Sequence, residues 1–145
     1  MTQTHRSTKP ISSKQVERNW HVIDLKDQIL GRLANDIAKL LQGKHKVDYV
    51  PYMDMGDFVV VINAKEVAVT GKKAEDKTYT YYSGYPGGLR RVPFKTLLEQ
   101  KPEEIIRHAI LGKLPKNKLR DRRMTRLYVY PGENHPHADK IKSTK

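Results

Sequence analysis

One short segment limits the fold more than any other part of this 145-residue chain. Residues 58–64 read FVVVINA, a continuous apolar run in which β-branched side chains dominate. A strand that is apolar at nearly every position has to be covered on both faces, which is typical of parallel sheets flanked by helices. The run therefore predicts a buried strand inside an α/β domain.

An amphipathic helix is predicted ahead of this strand. Leucine, isoleucine and alanine recur at helical spacing from Leu30 to Leu41, which places an apolar stripe along one side. Gly43 stands directly past the stripe, where a helix C-terminus favours glycine. With a further strand predicted at 20–25, the order strand–helix–strand favours one α/β domain with a largely parallel sheet.

The remaining elements are predicted from shorter patterns. They are strands at 66–70 and 127–130, an extended segment at 79–82, a Gly- and Pro-rich loop at 83–88, and two helical segments opened by Pro93 and Pro102. The flanking sequence is polar and has no apolar period. We therefore expect a flexible basic arm at 1–19, a single domain at 20–132 and an irregular tail at 133–145.

Positive charge dominates the composition, since 28 Lys and Arg against 16 Asp and Glu give a net charge of +12. That excess favours an anionic partner. Nucleic acid is the commonest one, because neutralising phosphates releases condensed counterions. A membrane surface is second and is disfavoured by the lack of any long apolar run. The chain has no cysteine and no secretory signal, so a cytoplasmic location is expected.

The strongest local charge feature is the segment 112–126, GKLPKNKLRDRRMTR, whose only acid is Asp121. If residues 116–123 are helical, Lys116, Arg120 and Arg123 share one face that can follow a phosphate backbone. A solvated surface helix is the alternative, and the near-absence of acids favours RNA contact. The basic candidates here are Lys113, Lys116, Lys118, Arg120, Arg122, Arg123 and Arg126.

Two smaller basic patches are also candidates. Lys44, His45 and Lys46 follow the long helix, where they either contact phosphate or complement the helix dipole, and the sequence does not separate the two. Lys72 and Lys73 follow a Thr-Gly pair, but the phosphate-loop pattern G-x-x-x-x-G-K-[ST] is absent. A backbone turn that presents two lysines to RNA is the favoured interpretation.

The segment 83–91, SGYPGGLRR, combines glycines with Tyr85, Arg90 and Arg91. Glycines let a backbone approach a ligand closely, and an exposed tyrosine can stack on an unpaired base. The alternative is an ordinary tight loop whose Tyr85 covers the core. The two arginines favour an RNA-facing loop.

Metal and enzyme chemistry find little support in the sequence. His135 and His137 form an incomplete ligand set, so structural or RNA-contacting roles are favoured over metal binding. Asp54 and Asp57 are interpreted as turn caps rather than paired catalytic acids. The dinucleotide, nucleophile-elbow and zinc-protease motifs are missing. We expect no cofactor and no small-molecule substrate, and keep a small α/β enzyme acting on a phosphorylated substrate as the second hypothesis.

Six collinear blocks carry a resemblance to a known family: LGRLANDIAKLLQGKHK (30–46), MGDFVVVINA (55–64), VTGKK (69–73), SGYPGG (83–88), LPKNKL (114–119) and HPH (135–137). Together they resemble the bacterial form of protein thirteen of the large ribosomal subunit. The resemblance implies a three-layer α/β/α domain with a four-stranded parallel sheet, a non-enzymatic place on large-subunit rRNA beside other ribosomal proteins, and a role early in subunit assembly. It implies RNA contact at Lys44, Lys46, Lys72, Lys73, Tyr85, Lys113, Lys116, Asn117 and Lys118.

The chain departs from the family pattern at two places in this region. Tyr81 and Tyr82 replace a usual basic pair before the loop, so stacking is expected there in place of charge. LRDRRM at 119–124 lacks the usual glycine, so a more regular helix is expected. A third hypothesis, regulatory binding to an mRNA, is compatible with ribosomal placement.

Overall fold

The computed structural model describes residues 12–142, with a three-stranded parallel sheet at its centre. Strand β1 is Trp20–Asp24, β2 is Phe58–Ile62 and β5 is Leu127–Val129, in the order β1-β2-β5. Val59, Val60 and Val61 of the middle strand are fully buried. The predicted buried strand in an α/β domain is therefore confirmed.

The prediction of a four-stranded sheet is only partly right. The segment 66–70 makes a single parallel bridge, between Ile29 and Ala68, instead of a strand. The backbone turns sharply at Asn63, whose φ is +56°, and a 3-10 helix at Ala64–Glu66 follows. These residues leave the sheet, and the bridge at Ala68 lies outside its three strands.

The other two strands form a separate antiparallel hairpin. Strand β3 (Thr78–Tyr82) pairs with β4 (Leu89–Pro93). The extended segment and the loop at 83–88 are confirmed, whereas the sequence did not predict β4. Its residues LRRVP alternate too weakly to stand out, and only Tyr79 of the hairpin is buried.

Helices pack against all three strands of the sheet. Helix α1 (Leu30–Gln42) buries the predicted stripe, and its C-cap Gly43 takes a left-handed φ of +79° with its N–H donating to Leu40 and Lys39. Helix α4 (Pro102–Lys113) packs beside it. The shorter helices are α2 (Lys73–Asp76), α3 (Phe94–Gln100), α5 (Arg120–Met124) and α6 (Ala138–Lys142). Helix α1 packs on β2, α4 on β5 and α6 on β1. Pro102 occupies the first turn of α4 as predicted, and Pro93 caps α3.

The described parts of the two flanking segments, residues 12–19 and 133–142, are more regular than predicted. A 3-10 turn spans Ser13–Gln15, and α6 contacts β1 within the tail. Residues 1–11, most of the predicted arm, and residues 143–145 lie outside the described part. Within the described part, no helix is both long and apolar enough to cross a membrane.

Candidate nucleic-acid interface

The first group of candidate cations gathers around the buried carboxylate of Asp57. The Lys46 Nζ lies 2.5 Å from Oδ1, and the Asn19 N–H donates to the same oxygen at 3.2 Å. His21 Nε2 and His45 Nε2 each lie 2.9 Å from Oδ2. Burial alone would raise the pKa of Asp57, but the hydrogen bonds from Lys46, His21 and Asn19 hold it below its ordinary value. Two of the predicted RNA contacts, His45 and Lys46, therefore serve an internal acid.

A second carboxylate, Asp54, binds the arginines at the end of the basic segment. Arg126 donates to both of its oxygens, with Nη1 at 2.5 Å from Oδ2, and Arg123 Nε lies 3.9 Å from Oδ1. Arg126 and Arg123 are only 6% and 1% exposed. The expected surface stripe of Lys116, Arg120 and Arg123 is wrong, because α5 begins only at Arg120 and turns Arg123 inward.

We call Asp54, Asp57 and the side chains that pair closely with them (His21, His45, Lys46 and Arg126) the acid-anchored cluster. The turn that carries both acids lies against the end of α1, where the Asp57 N–H donates to the Leu40 carbonyl at 3.1 Å. Gly56 sits so close that a Cβ would overlap the Leu41 carbonyl. The two acids anchor cations and are not the simple turn caps that the sequence indicated. The partners lie up to 72 residues away, so no local pattern could have shown the pairing.

The acid-anchored cluster also contains the one grouping with metal-ligand character that is found among residues 12–142. Ligand atoms of His21, His45 and Asp57 lie within 4.8 Å of one another. The sequence showed no ligand spacing for these histidines. However, the Lys46 ammonium already pairs with the same carboxylate, and both imidazoles can donate an N–H to it. Internal ion pairs and hydrogen bonds account for the arrangement.

A second group of candidates lines two concave surfaces that meet at Lys113. The first, which we call the Lys73 groove, has a volume of about 560 Å³ and is bordered by Arg32, Lys73, Lys77 and Lys113. Gly71 turns the chain into it with a φ of +64°, and Lys73 Nζ lies 3.4 Å from Thr70 Oγ1. The predicted turn with lysines is confirmed, with Lys72 exposed at its tip. The sequence did not indicate Arg32 and Lys77 as candidates, because neither belongs to a basic run. Only the fold brings them to the groove.

The second surface, which we call the Arg123 pocket, has a volume of about 360 Å³. Its polar lining consists of Gln42, Lys44, Tyr49, Lys113, Asn117 and Arg123. The Asn117 Oδ1 accepts from the Leu119 N–H at 3.1 Å, which fixes the turn before α5. Neither surface has an Asp or Glu among the described residues that line it.

Other parts of the basic segment are exposed beside this pocket. Lys116, Lys118 and Arg122 lie on the surface, and none of them pairs with an acid within residues 12–142. Arg120 is half-buried, with Nε 4.0 Å from Asp121. The segment thus divides into the exposed cations Lys116, Lys118 and Arg122 and the two buried arginines Arg123 and Arg126.

The β3–β4 hairpin presents aromatic and basic side chains to solvent. Tyr82 and Tyr85 are 68% and 75% exposed, so Tyr85 does not cover the core. Arg90 lies opposite Tyr81 and Arg91 opposite Thr80 across the hairpin, and both arginines are exposed. An aromatic face next to two guanidinium groups can stack on unpaired bases.

The two C-terminal histidines belong to an aromatic cluster. The His137 ring packs 4.5 Å from Tyr128 and 5.1 Å from Trp20, and its Nε2 lies 3.0 Å from the Tyr130 hydroxyl. Burial, followed by the nearby charge of Lys140, lowers the pKa of His137. His135 Nδ1 accepts from the His137 N–H at 3.3 Å. These contacts support the structural role that the sequence left open.

The fold and its surfaces define a basic α/β protein whose grooves suit a polyanion. The sequence model of the family described as Ribosomal protein L13 matches residues 18–136. The chain is 58% identical over 122 residues to the large ribosomal subunit protein uL13 of Caldanaerobacter subterraneus, covering 84% of this chain and 85% of the relative. The uL13 proteins of Chlorobium limicola (53% identical; 91% and 90% covered) and Thermus thermophilus (54%; 86% and 89%) are also similar. The chain belongs to the ribosomal protein L13 family and is therefore a ribosomal protein and not an enzyme.

Proposed function

We propose that this chain is a structural constituent of the large ribosomal subunit in the cytoplasm and that it binds large-subunit rRNA through the Lys73 groove, the Arg123 pocket and the β3–β4 hairpin. The observation that carries the proposal is the meeting of two acid-free, cation-lined surfaces at Lys113. Its close relatives bear the name of large-subunit proteins. Neighbouring ribosomal proteins are the expected further partners.

Electrostatics supplies the mechanism. Lysines and arginines along the two surfaces neutralise closely spaced phosphates and release counterions, which favours association and makes it sensitive to salt. The acid-anchored cluster has a different role, because its cations already pair with Asp54 and Asp57. It stabilises the end of α1 from which Lys44 projects.

The β3–β4 hairpin contacts RNA bases. Tyr82 and Tyr85 offer exposed ring faces, and Arg90 and Arg91 add flat guanidinium groups beside them. Single-stranded loops and bulges of RNA splay out bases that such rings can stack on. The hairpin therefore favours an irregular RNA element over a regular duplex.

Early entry into the assembling subunit is a further part of the proposal. The cations of the two surfaces need only phosphates as partners, so binding can precede the arrival of other proteins. The family resemblance supports the same order. Regulation of an mRNA has no support from the relatives and is not proposed.

The test is incorporation of variants into large subunits. Lys113→Glu combined with Lys73→Glu reverses the charge at the junction and a second charge in the Lys73 groove, and we expect occupancy in purified large subunits to fall at least about tenfold. Lys65→Glu, an exposed lysine that lines neither surface, is the matched control and should be incorporated normally. Equal occupancy of the double variant and the control would exclude these surfaces as the RNA interface.

A further inference from the structure

We propose that the Arg123 pocket is a binding site for a single phosphate group of the rRNA backbone, with the buried Arg123 guanidinium as its base. The inference rests on the proposed function and names one subsite within it. It also gives a role to Arg123, which the sequence wrongly predicted to lie on an exposed stripe.

Arg123 is buried, and its guanidinium lacks hydrogen-bond partners among the described residues. Its side chain is 1% exposed, and none of its three guanidinium nitrogens has a hydrogen-bond partner within the described residues. Only its Nε approaches an acid, at 3.9 Å from Asp54 Oδ1. A buried guanidinium with unused donors is costly, because it has lost water without gaining acceptors.

The second observation is that Asp54 cannot satisfy this charge alone. Both of its oxygens already accept from Arg126. One carboxylate thus faces two buried guanidinium groups, so one positive charge is left over. An anion from outside the chain is the natural complement of such an excess.

The third observation is the pocket beside the guanidinium. Lys44 follows α1, Lys113 ends α4 and Asn117 precedes α5, so three separate segments direct polar side chains to one place. No carboxylate is found among the described residues that line it. Two ammonium groups, an amide and a guanidinium fork are the donor set that phosphate oxygens accept from.

The Arg123 guanidinium is covered, so a phosphate reaches it only after the pocket wall moves. Its guanidinium nitrogens each have less than 1 Å² of surface. The Lys44 and Lys113 side chains at the pocket are exposed and can rotate, whereas Asn117 is held by its bond from the Leu119 N–H. At about 360 Å³ the pocket has room for a phosphate and part of an attached sugar.

The first arm of the test uses inorganic phosphate and the full chain. Thermal unfolding is measured in sodium phosphate and in sodium chloride at equal ionic strength and pH. We expect phosphate to raise the Tm of the wild type by about 2–4 °C, through binding to the folded state alone. The shift should be lost in Arg123→Met and reduced in Lys113→Gln, and kept in the control Lys65→Gln.

Arg123→Met also separates a ligand role from a structural one. Replacing an unsatisfied buried charge by an apolar side chain of similar length should leave the Tm in chloride unchanged or higher. A lower Tm in chloride, together with an equal phosphate shift in the variant and the wild type, would show that Arg123 only supports the fold and would overturn the proposal.

The second arm uses purified large-subunit rRNA over a range of salt concentrations. Loss of one phosphate contact in Arg123→Met should lower the slope of log K against log salt by about 0.7–0.9. If the wild type binds rRNA and the variant keeps the same slope, the pocket is not an RNA subsite, while the proposed function stands. A rise in Tm in sodium phosphate that is lost in Arg123→Met would in that case indicate a site for free phosphate. If the wild type does not bind rRNA, the proposed function itself fails.

Discussion

The acid-anchored cluster and the Lys73 groove are both rich in positive side chains, yet they use them differently. In the cluster, Lys46 and Arg126 are held within hydrogen-bonding distance of the buried Asp57 and the partly buried Asp54, respectively. In the groove, Lys73 and Lys113 face solvent on a surface that lacks acids among its described lining. A run of basic residues therefore does not by itself reveal which cations remain available to a ligand. Acids that are distant in sequence decide it.

The largest expected effect comes from breaking the cluster with Asp57→Ala. Lys46 and two histidines would lose the carboxylate that they share, and removing one partner of a buried ion pair destabilises a fold by about 3–5 kcal/mol. Urea unfolding gives the free-energy change. The comparison variant Asp121→Ala removes an exposed acid and should change stability by less than about 0.5 kcal/mol. Similar values for both variants would contradict the anchoring role.

Gly56→Ala tests whether the turn of the cluster has to lie against α1. The added methyl group would overlap the Leu41 carbonyl and approach the Arg126 guanidinium, so we expect a loss of about 1–3 kcal/mol. Gly112→Ala is the matched control, because its Cβ would meet nothing within 4 Å and alanine favours the helix. Differential scanning calorimetry should show a lower Tm for the first variant and an unchanged or higher Tm for the second.

Tyr85→Ala tests whether the exposed ring at the tip of the β3–β4 hairpin stacks on an RNA base. Loss of one stacked base should weaken rRNA binding by about 1–3 kcal/mol while the Tm stays unchanged, since the ring is exposed. Tyr85→Trp keeps a flat ring and should retain binding. Filter binding at fixed salt measures both. Full affinity in the alanine variant would leave the hairpin without a stacking role.

The smallest effect is expected at His137. Burial lowers the pKa of His137 in the folded chain, so the folded pKa lies below that of the unfolded chain. The neutral His137 ring therefore contributes stability at high pH, and this contribution is lost as the pH falls below about 6.5. Trp20 is the sole tryptophan and packs against the ring, so its fluorescence reports the titration. The midpoint should lie below 6.5 and disappear in His137→Gln. A midpoint above that value would reverse the assigned direction.

Sequence patterns predicted those parts of the fold that depend on local periodicity. Helix α1 and strand β2 were found because their apolar spacing is set within one element. The strand at 66–70 was wrong because the left-handed turn at Asn63 leaves no trace in hydrophobic alternation. The site divides in the same way: exposed Lys113 and Tyr85 stand out by composition, whereas the pairing of Arg126 with Asp54 spans 72 residues.

The order β1-β2-β5 has a consequence for how the chain is made. Strand β2 lies in the middle of the sheet, and its second edge is paired only once β5 (Leu127–Val129) has been synthesised. Arg126 precedes that strand directly, so its bond to Asp54 forms at the same late stage. Contacts of such long sequence separation slow folding. A growing chain therefore carries Asp54 without its Arg126 partner and an open edge on strand β2 until residues 126–129 have left the exit tunnel, and nascent chains cut before residue 126 should be protease-sensitive.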